Sequence, residues 1–242
     1  MFIVHKFINI INNTYERIID ALLPKRCLGC RKFDTWLCDV CHNTLPLLTE
    51  QKCYKCKKII TNHGEICFNC MKNDIYYLDG IFVVSDFKNE LLKDVIYTYK
   101  YKFIKELSDP LGLLIVQSII NNDLKIQKNI IPVPLHPRRY RWRGFNQATL
   151  LAKSLDIRDS EILENVLIRV KYTKSQVKLK NKFQRIENIK NAFKVKNKDK
   201  IKNKEIVLID DITTTTSTLT ECAKSLKKSG AKKVYAIVLA RE

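Results

Sequence analysis

Two sets of residues in this sequence have the types and spacing to do chemistry. Eight of the nine cysteines fall into four Cys-x-x-Cys pairs: Cys27/Cys30, Cys38/Cys41, Cys53/Cys56 and Cys67/Cys70. A two-residue gap lets both thiolates of a pair point at one ion, so the pairs read as metal knuckles rather than disulfides. Grouping neighbouring pairs gives two tetrahedral four-thiolate sites. Cross-braced pairing, first with third and second with fourth, fits the spacing as well. Eight thiolates close two sites without help from His42 or His63, and structural sites of this kind are zinc sites.

The second set is the run IVLIDDITTTTSTL, from Ile206 to Leu219. Its apolar start predicts a buried strand that delivers Asp210 and Asp211 at its carboxyl end. Thr213, Thr214, Thr215, Thr216, Ser217 and Thr218 then lead straight into a helix. Ligands of open α/β sheets bind at the carboxyl ends of the strands. A helix N-terminus adds unpaired N–H groups and the positive end of its dipole, which together cradle a phosphate. Acidic side chains beside that cradle suit ribose hydroxyls or a magnesium ion, and a ribose 5-phosphate group satisfies both halves.

The elements needed to hold these residues are readable around them. Residues 1–24 carry apolar side chains at the period of an amphipathic helix, ending at Pro24. The cysteine-rich segment 25–72 has no long periodic element and is too small to fold without metal. From 73 to 242 strands alternate with helices. Ile81–Val84, 129–135, 204–210 and 233–240 read as strands. Residues 89–102, 108–120, 146–155 and 218–229 read as helices, with Asn146 as an N-cap and Gly230 in the left-handed C-terminal position. That order implies a mostly parallel sheet with right-handed crossovers and flanking helices, an α/β fold. Cys222 shares a helix face with Leu219, Ala223 and Leu226 and reads as core.

At 242 residues, with 45% hydrophobic and 29% charged residues, the chain has a globular composition that excludes disorder and collagen. No stretch approaches the roughly 20 apolar residues of a membrane span, which excludes a channel. Without a secretory h-region or cleavage site, the cytoplasm is the expected compartment, where reduced thiols favour zinc. The formal net charge of +19 points to phosphate-bearing partners. Residues 171–204 concentrate thirteen Lys and Arg against Glu187 and Asp199, and their sparse apolar residues suggest a lightly anchored excursion.

The strand–acid–acid–hydroxyl pattern resembles the signature of type I phosphoribosyltransferases, which bind phosphoribosyl pyrophosphate. Pro132-Val133-Pro134-Leu135-His136-Pro137-Arg138-Arg139 with Arg143-Gly144-Phe145-Asn146-Gln147 resembles the ComF family of competence-related proteins. So do Arg169-Val170-x-x-Thr173-x-x-Gln176, Arg185-x-x-Asn188 and Ala192-Phe193, and the cysteines resemble that family's double zinc ribbon. The resemblance implies a type I phosphoribosyltransferase fold, two structural zinc ions, and phosphoribosyl pyrophosphate bound with magnesium. It assigns Asp210 and Asp211 to the ribose and magnesium, Thr213 to Thr218 to the 5′-phosphate, and Arg138 and Arg139 to the pyrophosphate. It further implies handling of single-stranded DNA during natural transformation, beside the uptake machinery at the inner membrane face. Arg141, Trp142, Arg143, Lys178, Lys180, Lys182 and Arg185 are the candidate nucleic-acid contacts, with Tyr140 and Phe145 as further stacking residues. The alternative is an active phosphoribosyltransferase acting on a nucleobase or small acceptor. One residue departs from the family pattern: Thr216 stands where glycine is usual, and a left-handed threonine there costs on the order of 1–3 kcal/mol.

Overall fold

The computed structural model describes residues 24–73, 75–125, 129–173 and 182–242. The expected amphipathic helix over 1–24 lies outside these residues except for Pro24. Contacts divide the chain into two compact units, Met1–Leu45 and Pro46–Glu242. The division falls between the two cysteine clusters. In the first unit the described residues form the loops of one cluster and a short helix, α1 (Asp39–His42), with the Arg26 guanidinium 4.3 Å over the Phe33 ring.

The second unit is built on a five-stranded parallel sheet. Its strands are β1 (Gly80–Asp86), β2 (Asn129–Pro132), β3 (Glu161–Ile162), β6 (Glu205–Thr213) and β7 (Lys233–Arg241), in the order β1-β7-β6-β2-β3. A two-stranded antiparallel pair, β4 (Leu167–Arg169) with β5 (Phe193–Val195), stands apart from it. The near-continuous apolar runs in β6 and β7 are what a sheet buried on both faces requires. Ile206 and Leu208 join Val234, Ala236 and Val238 in one core with Leu219, Cys222, Ala223 and Leu226. Those last four lie on α8 (Ser217–Lys228), spaced as a buried helical stripe, and Gly230 follows at φ 101°. Cys222 is thus a core side chain.

The remaining helices include α3 (Glu90–Tyr101), α4 (Ser108–Asn121) and α6 (Gln147–Ser154), with α4 packed on α6 and α6 on β6. Asn89 and Asn146 cap α3 and α6, their side-chain oxygens accepting from the N–H groups of Leu92 and Ala148. The fully buried Tyr99 donates its hydroxyl to the Gln147 carbonyl at 2.9 Å and ties α3 to α6. Two segments differ from the sequence expectation. The arginines after the prolines form a helix, α5 (Pro137–Arg143), because the His136 imidazole caps it and Pro137 is pre-shaped for a first turn. Part of the basic stretch is ordered as α7 (Lys182–Ile189) and β5, since Ile189, Ala192 and Phe193 are buried in the core.

The second cysteine cluster belongs to this unit, and α2 (Phe68–Asn73) carries its last ligand. Its segment covers the open edge of β1. The Gln51 side chain imitates a strand there, donating to the Val83 carbonyl at 2.8 Å and accepting from the Val83 N–H at 3.0 Å. Leu48 N–H bonds the Val84 carbonyl, and the Tyr54 hydroxyl bonds the Leu78 carbonyl at 2.7 Å. An exposed edge of unpaired groups invites aggregation, and this segment removes it. The fit is tightest at Gly64 (φ 77°), where a Cβ would lie 2.0 Å from the Ile81 carbonyl oxygen. Gly64→Ala is therefore expected to destabilise the unit by about 3 kcal/mol or more, combining overpacking with a strained φ, as read by thermal unfolding.

Candidate functional site

The four thiols of each cluster gather by neighbouring pairs: Cys27, Cys30, Cys38 and Cys41 in one set, Cys53, Cys56, Cys67 and Cys70 in the other. His42 and His63 belong to neither set. Sulfur separations of 3.7 Å (Cys27–Cys38), 3.6 Å (Cys30–Cys38) and 3.9 Å (Cys56–Cys67) are far beyond a disulfide. They match the edge of a tetrahedron drawn around zinc at about 2.3 Å per Zn–S bond, which is about 3.8 Å. Backbone N–H groups near Ile59 and Lys58 lower Cys56 to about 6, while burial and the neighbouring thiols push Cys70 up to about 12. Four thiolates this close are compatible only around a central cation, so the donor set fits zinc.

At the carboxyl end of β6, Asp210 and Asp211 follow one another along an extended backbone and so leave on opposite faces. Asp211 is buried; one of its oxygens accepts from Lys100 Nζ at 2.9 Å, and from its neighbour's N–H at Ile212 at 2.7 Å. Lys100 comes from α3. Asp210 accepts from the Asp211 N–H at 2.9 Å. Burial first, and repulsion from Asp211 second, raise the Asp210 carboxyl to about 7, against opposing pulls from Lys100 and Arg169.

The hydroxyl run forms the loop between β6 and α8. The Thr213 carbonyl accepts from the Glu242 N–H, and the Thr215 and Ser217 hydroxyls bond one another at 2.7 Å. Thr216 is left-handed (φ 60°, ψ 0°) and caps α8 without a side-chain hydrogen bond. The backbone N–H groups of Ser217 and Thr218 in the first helical turn therefore stay available to an incoming acceptor. Arg185 of α7 donates to the Thr214 hydroxyl at 3.0 Å, so this candidate nucleic-acid contact stands at the loop between β6 and α8.

Parallel pairing of β2 with β6 (Pro132 beside Ile209) brings α5 to the same end of the sheet. Arg139 donates to the Thr173 carbonyl at 2.8 Å, and the Arg138 guanidinium lies 5.4 Å over the Tyr172 ring. Arg143 is half-buried, 6.0 Å over Tyr101, with burial lowering its pKa and Asp211 opposing that shift. Arg141 and Trp142 are exposed, and Trp142 packs edge-on against Phe103 at 5.0 Å. Phe145 is 4% exposed beside Tyr99 and belongs to the core, which removes it as a stacking residue. Burial and four surrounding arginines (169, 138, 139 and 141) lower the His136 pKa, consistent with its capping role. Lys178 and Lys180 lie outside the described residues, and Lys182 begins α7.

Two site residues escaped sequence reasoning. Lys100 carries no motif and reaches Asp211 across 111 positions of chain. Arg169 belongs to a motif quoted above but had no role assigned; it is buried near Asp210. For the metal sites, elemental analysis is expected to return about two zinc ions per chain. Cys67→Ser should lose one of them and lower the melting temperature of the sheet-bearing unit by about 6–12 °C, on the order of 3 kcal/mol. Cys30→Ser, altering an exposed ligand of the other cluster, should lose one ion and leave that transition in place.

The geometry can be set beside known proteins. Residues 18–71 match the double zinc ribbon domain family, and residues 143–242 match the phosphoribosyl transferase domain family. The chain is 31% identical over 226 residues to competence protein F of Haemophilus influenzae, spanning 89% of this chain and 96% of that protein. It is 29% identical over 216 residues to competence protein ComFC of Streptococcus pneumoniae, spanning 87% and 90%. It is 27% identical over 232 residues to DNA utilization protein YhgH of Escherichia coli K12, spanning 90% and 98%. A type I phosphoribosyltransferase fold carrying the Asp210–Asp211 strand end, joined to a double zinc ribbon with two four-cysteine sites, completes the likeness, and the chain belongs to the competence protein F (ComF) family.

Proposed function

We propose that this protein binds phosphoribosyl pyrophosphate with magnesium at the carboxyl end of β6 and handles single-stranded DNA in the cytoplasm during natural transformation. The observation that carries the ligand is the junction of the Asp210–Asp211 pair with a helix N-terminus whose amides have no side-chain cap. The amides of Ser217 and Thr218, the loop hydroxyls and Arg185 would hold the 5′-phosphate. The carboxylates of Asp210 and Asp211 would accept from ribose hydroxyls and supply the oxygen donors that magnesium takes. Magnesium bound there would offset the phosphate charge. Lys100 orients Asp211 through their 2.9 Å ion pair.

The DNA role is supported by the relatives named for competence and DNA utilization, and by α5. Tyr140 and Trp142 are 52% and 65% exposed, interleaved with Arg138, Arg141 and Arg143. Alternating rings and guanidinium groups suit unpaired bases and their phosphates. Among the described residues no helix is long and apolar enough to cross a membrane. Work at the inner membrane face, beside the uptake machinery, is part of the same reading.

Calorimetry with phosphoribosyl pyrophosphate and magnesium is expected to show saturable heat, abolished in Asp210→Asn and strengthened in Thr216→Gly, which relieves the left-handed threonine. In magnesium-free buffer at pH 8 the Asp210→Asn chain should melt higher than wild type. A carboxyl raised from 3.8 to about 7 by folding withdraws stability as pH climbs between those values, and the amide does not. Absence of heat in the wild type overturns the ligand. For the DNA arm, oligonucleotide affinity should fall with log salt by about 0.7 per phosphate neutralised, and Trp142→Ala should weaken binding about tenfold. Salt-independent or absent binding overturns that arm.

A further inference from the structure

The end of β7 touches both the loop that follows β6 and the second cysteine cluster. In the parallel register Arg241 lies opposite Thr213, and the next residue, Glu242, donates its N–H to the Thr213 carbonyl at 3.0 Å. Thr213 opens the hydroxyl run in which Thr215 and Ser217 bond one another. The Arg241 side chain reaches the other way and donates to the carbonyl of Tyr54. Tyr54 follows Cys53, a fully buried cysteine whose sulfur accepts from the Cys67 N–H at 3.3 Å. Burial lowers the Arg241 pKa while Cys53 and Tyr54 oppose the shift, so the guanidinium stands within electrostatic reach of the cluster. Its Nε–H is buried without a hydrogen-bond partner, and no carboxylate among the described residues acts on it. Four thiolates around one zinc carry net negative charge, and a neighbouring cation offsets the cost of burying it. Arg241 is placed to be that cation.

We propose that Arg241 and Glu242 form a relay between the second zinc set, Cys53 to Cys70, and the loop between β6 and α8, so that zinc retention there and ligand affinity rise and fall together. The inference rests on the ligand reading above and adds its regulation. Stripping the second zinc leaves a half-buried guanidinium short of an anion. Its release to water draws the end of β7 away, and the Thr213 carbonyl loses the Glu242 donor that steadies the loop. The end of β7 is thus the element with two arrangements that metal and ligand both bias. Coupling of this kind is reciprocal, so the ligand tightens zinc by the factor by which zinc tightens the ligand.

The test combines calorimetry with phosphoribosyl pyrophosphate and magnesium with competition by a zinc-selective chelator, with and without that ligand, on full-length zinc-loaded chains. Cys30→Ser, which holds the second zinc alone, reports the competition. The ligand is expected to raise its zinc affinity about tenfold, and adding Arg241→Met or Glu242→Pro should cut that rise to within about twofold. In the otherwise wild-type chain each of these two substitutions should weaken the ligand about tenfold, and Arg241→Lys, which keeps the charge, should restore most of it. Glu242→Pro removes an N–H donor from an exposed residue, so it decides the matter if Arg241→Met fails to fold. A merely structural cluster predicts ligand-driven zinc retention that survives both substitutions, and that result overturns the relay. So does a ligand that binds Cys30→Ser without changing its zinc affinity. A wild type that binds no ligand overturns the ligand reading and the relay with it.

Discussion

Two carboxylates on adjacent positions of one strand must leave on opposite faces of the sheet, and each then needs a cation from whatever covers its face. That constraint organises the functional end of this protein. Asp211 turns toward α3 and finds Lys100 at 2.9 Å. Asp210 turns toward the side that holds Cys222 and Arg169: Arg169 opposes the rise in its pKa, and Asp210 in turn helps push the Cys222 thiol up. The cover of β6 is therefore more than apolar, because α3 delivers Lys100 and β4 delivers Arg169 to the strand end. Burial makes this expensive, and the raised Asp210 carboxyl is the measure of that expense. A fold optimised for stability alone would have no reason to keep the pair.

The same strand end explains where the strain sits. A loop that turns directly from β6 into α8 forces one residue into left-handed geometry, and in this chain that residue is Thr216. Its β-branched side chain is poorly suited to φ 60°, yet the helix still begins on schedule and its first amides remain uncapped. Closing the loop with side-chain hydroxyl bonds, as between Thr215 and Ser217, recovers part of what a glycine would have supplied.

At the opposite flank of the sheet the second cysteine cluster acts as an architectural part of the unit. Cys53 and Cys67 are counted among the same buried core as β7 and α8, and the Gln51 side chain completes the hydrogen bonding of β1. Arg241, near the end of β7, donates to the Tyr54 carbonyl beside the first ligand of that cluster. Metal binding and sheet integrity are linked through these contacts, since thiolates that lose their ion cannot stay packed at 3.9 Å.

Local pattern was enough for much of this. The periodicity of Leu219, Cys222, Ala223 and Leu226 identified α8 and its buried face. The apolar runs identified β6 and β7, and the cysteine spacing identified the eight metal ligands, because each of these signals is written within a few residues of chain. The grouping of the cysteines, the capping of α5 by His136 and the burial of Phe145 were open or misread, since each depends on which neighbour arrives. Lys100 and Arg169 became candidate site residues only through folding, which also brought Arg185 to the loop after β6. A basic side chain looks the same in sequence whether it faces water or a carboxylate 111 positions away. Composition and spacing determined the main strands, most of the helices and the acid–acid–hydroxyl run at β6. Tertiary structure alone decided which charges meet there, because electrostatic energy depends on distance in space and burial, and neither is written in local order.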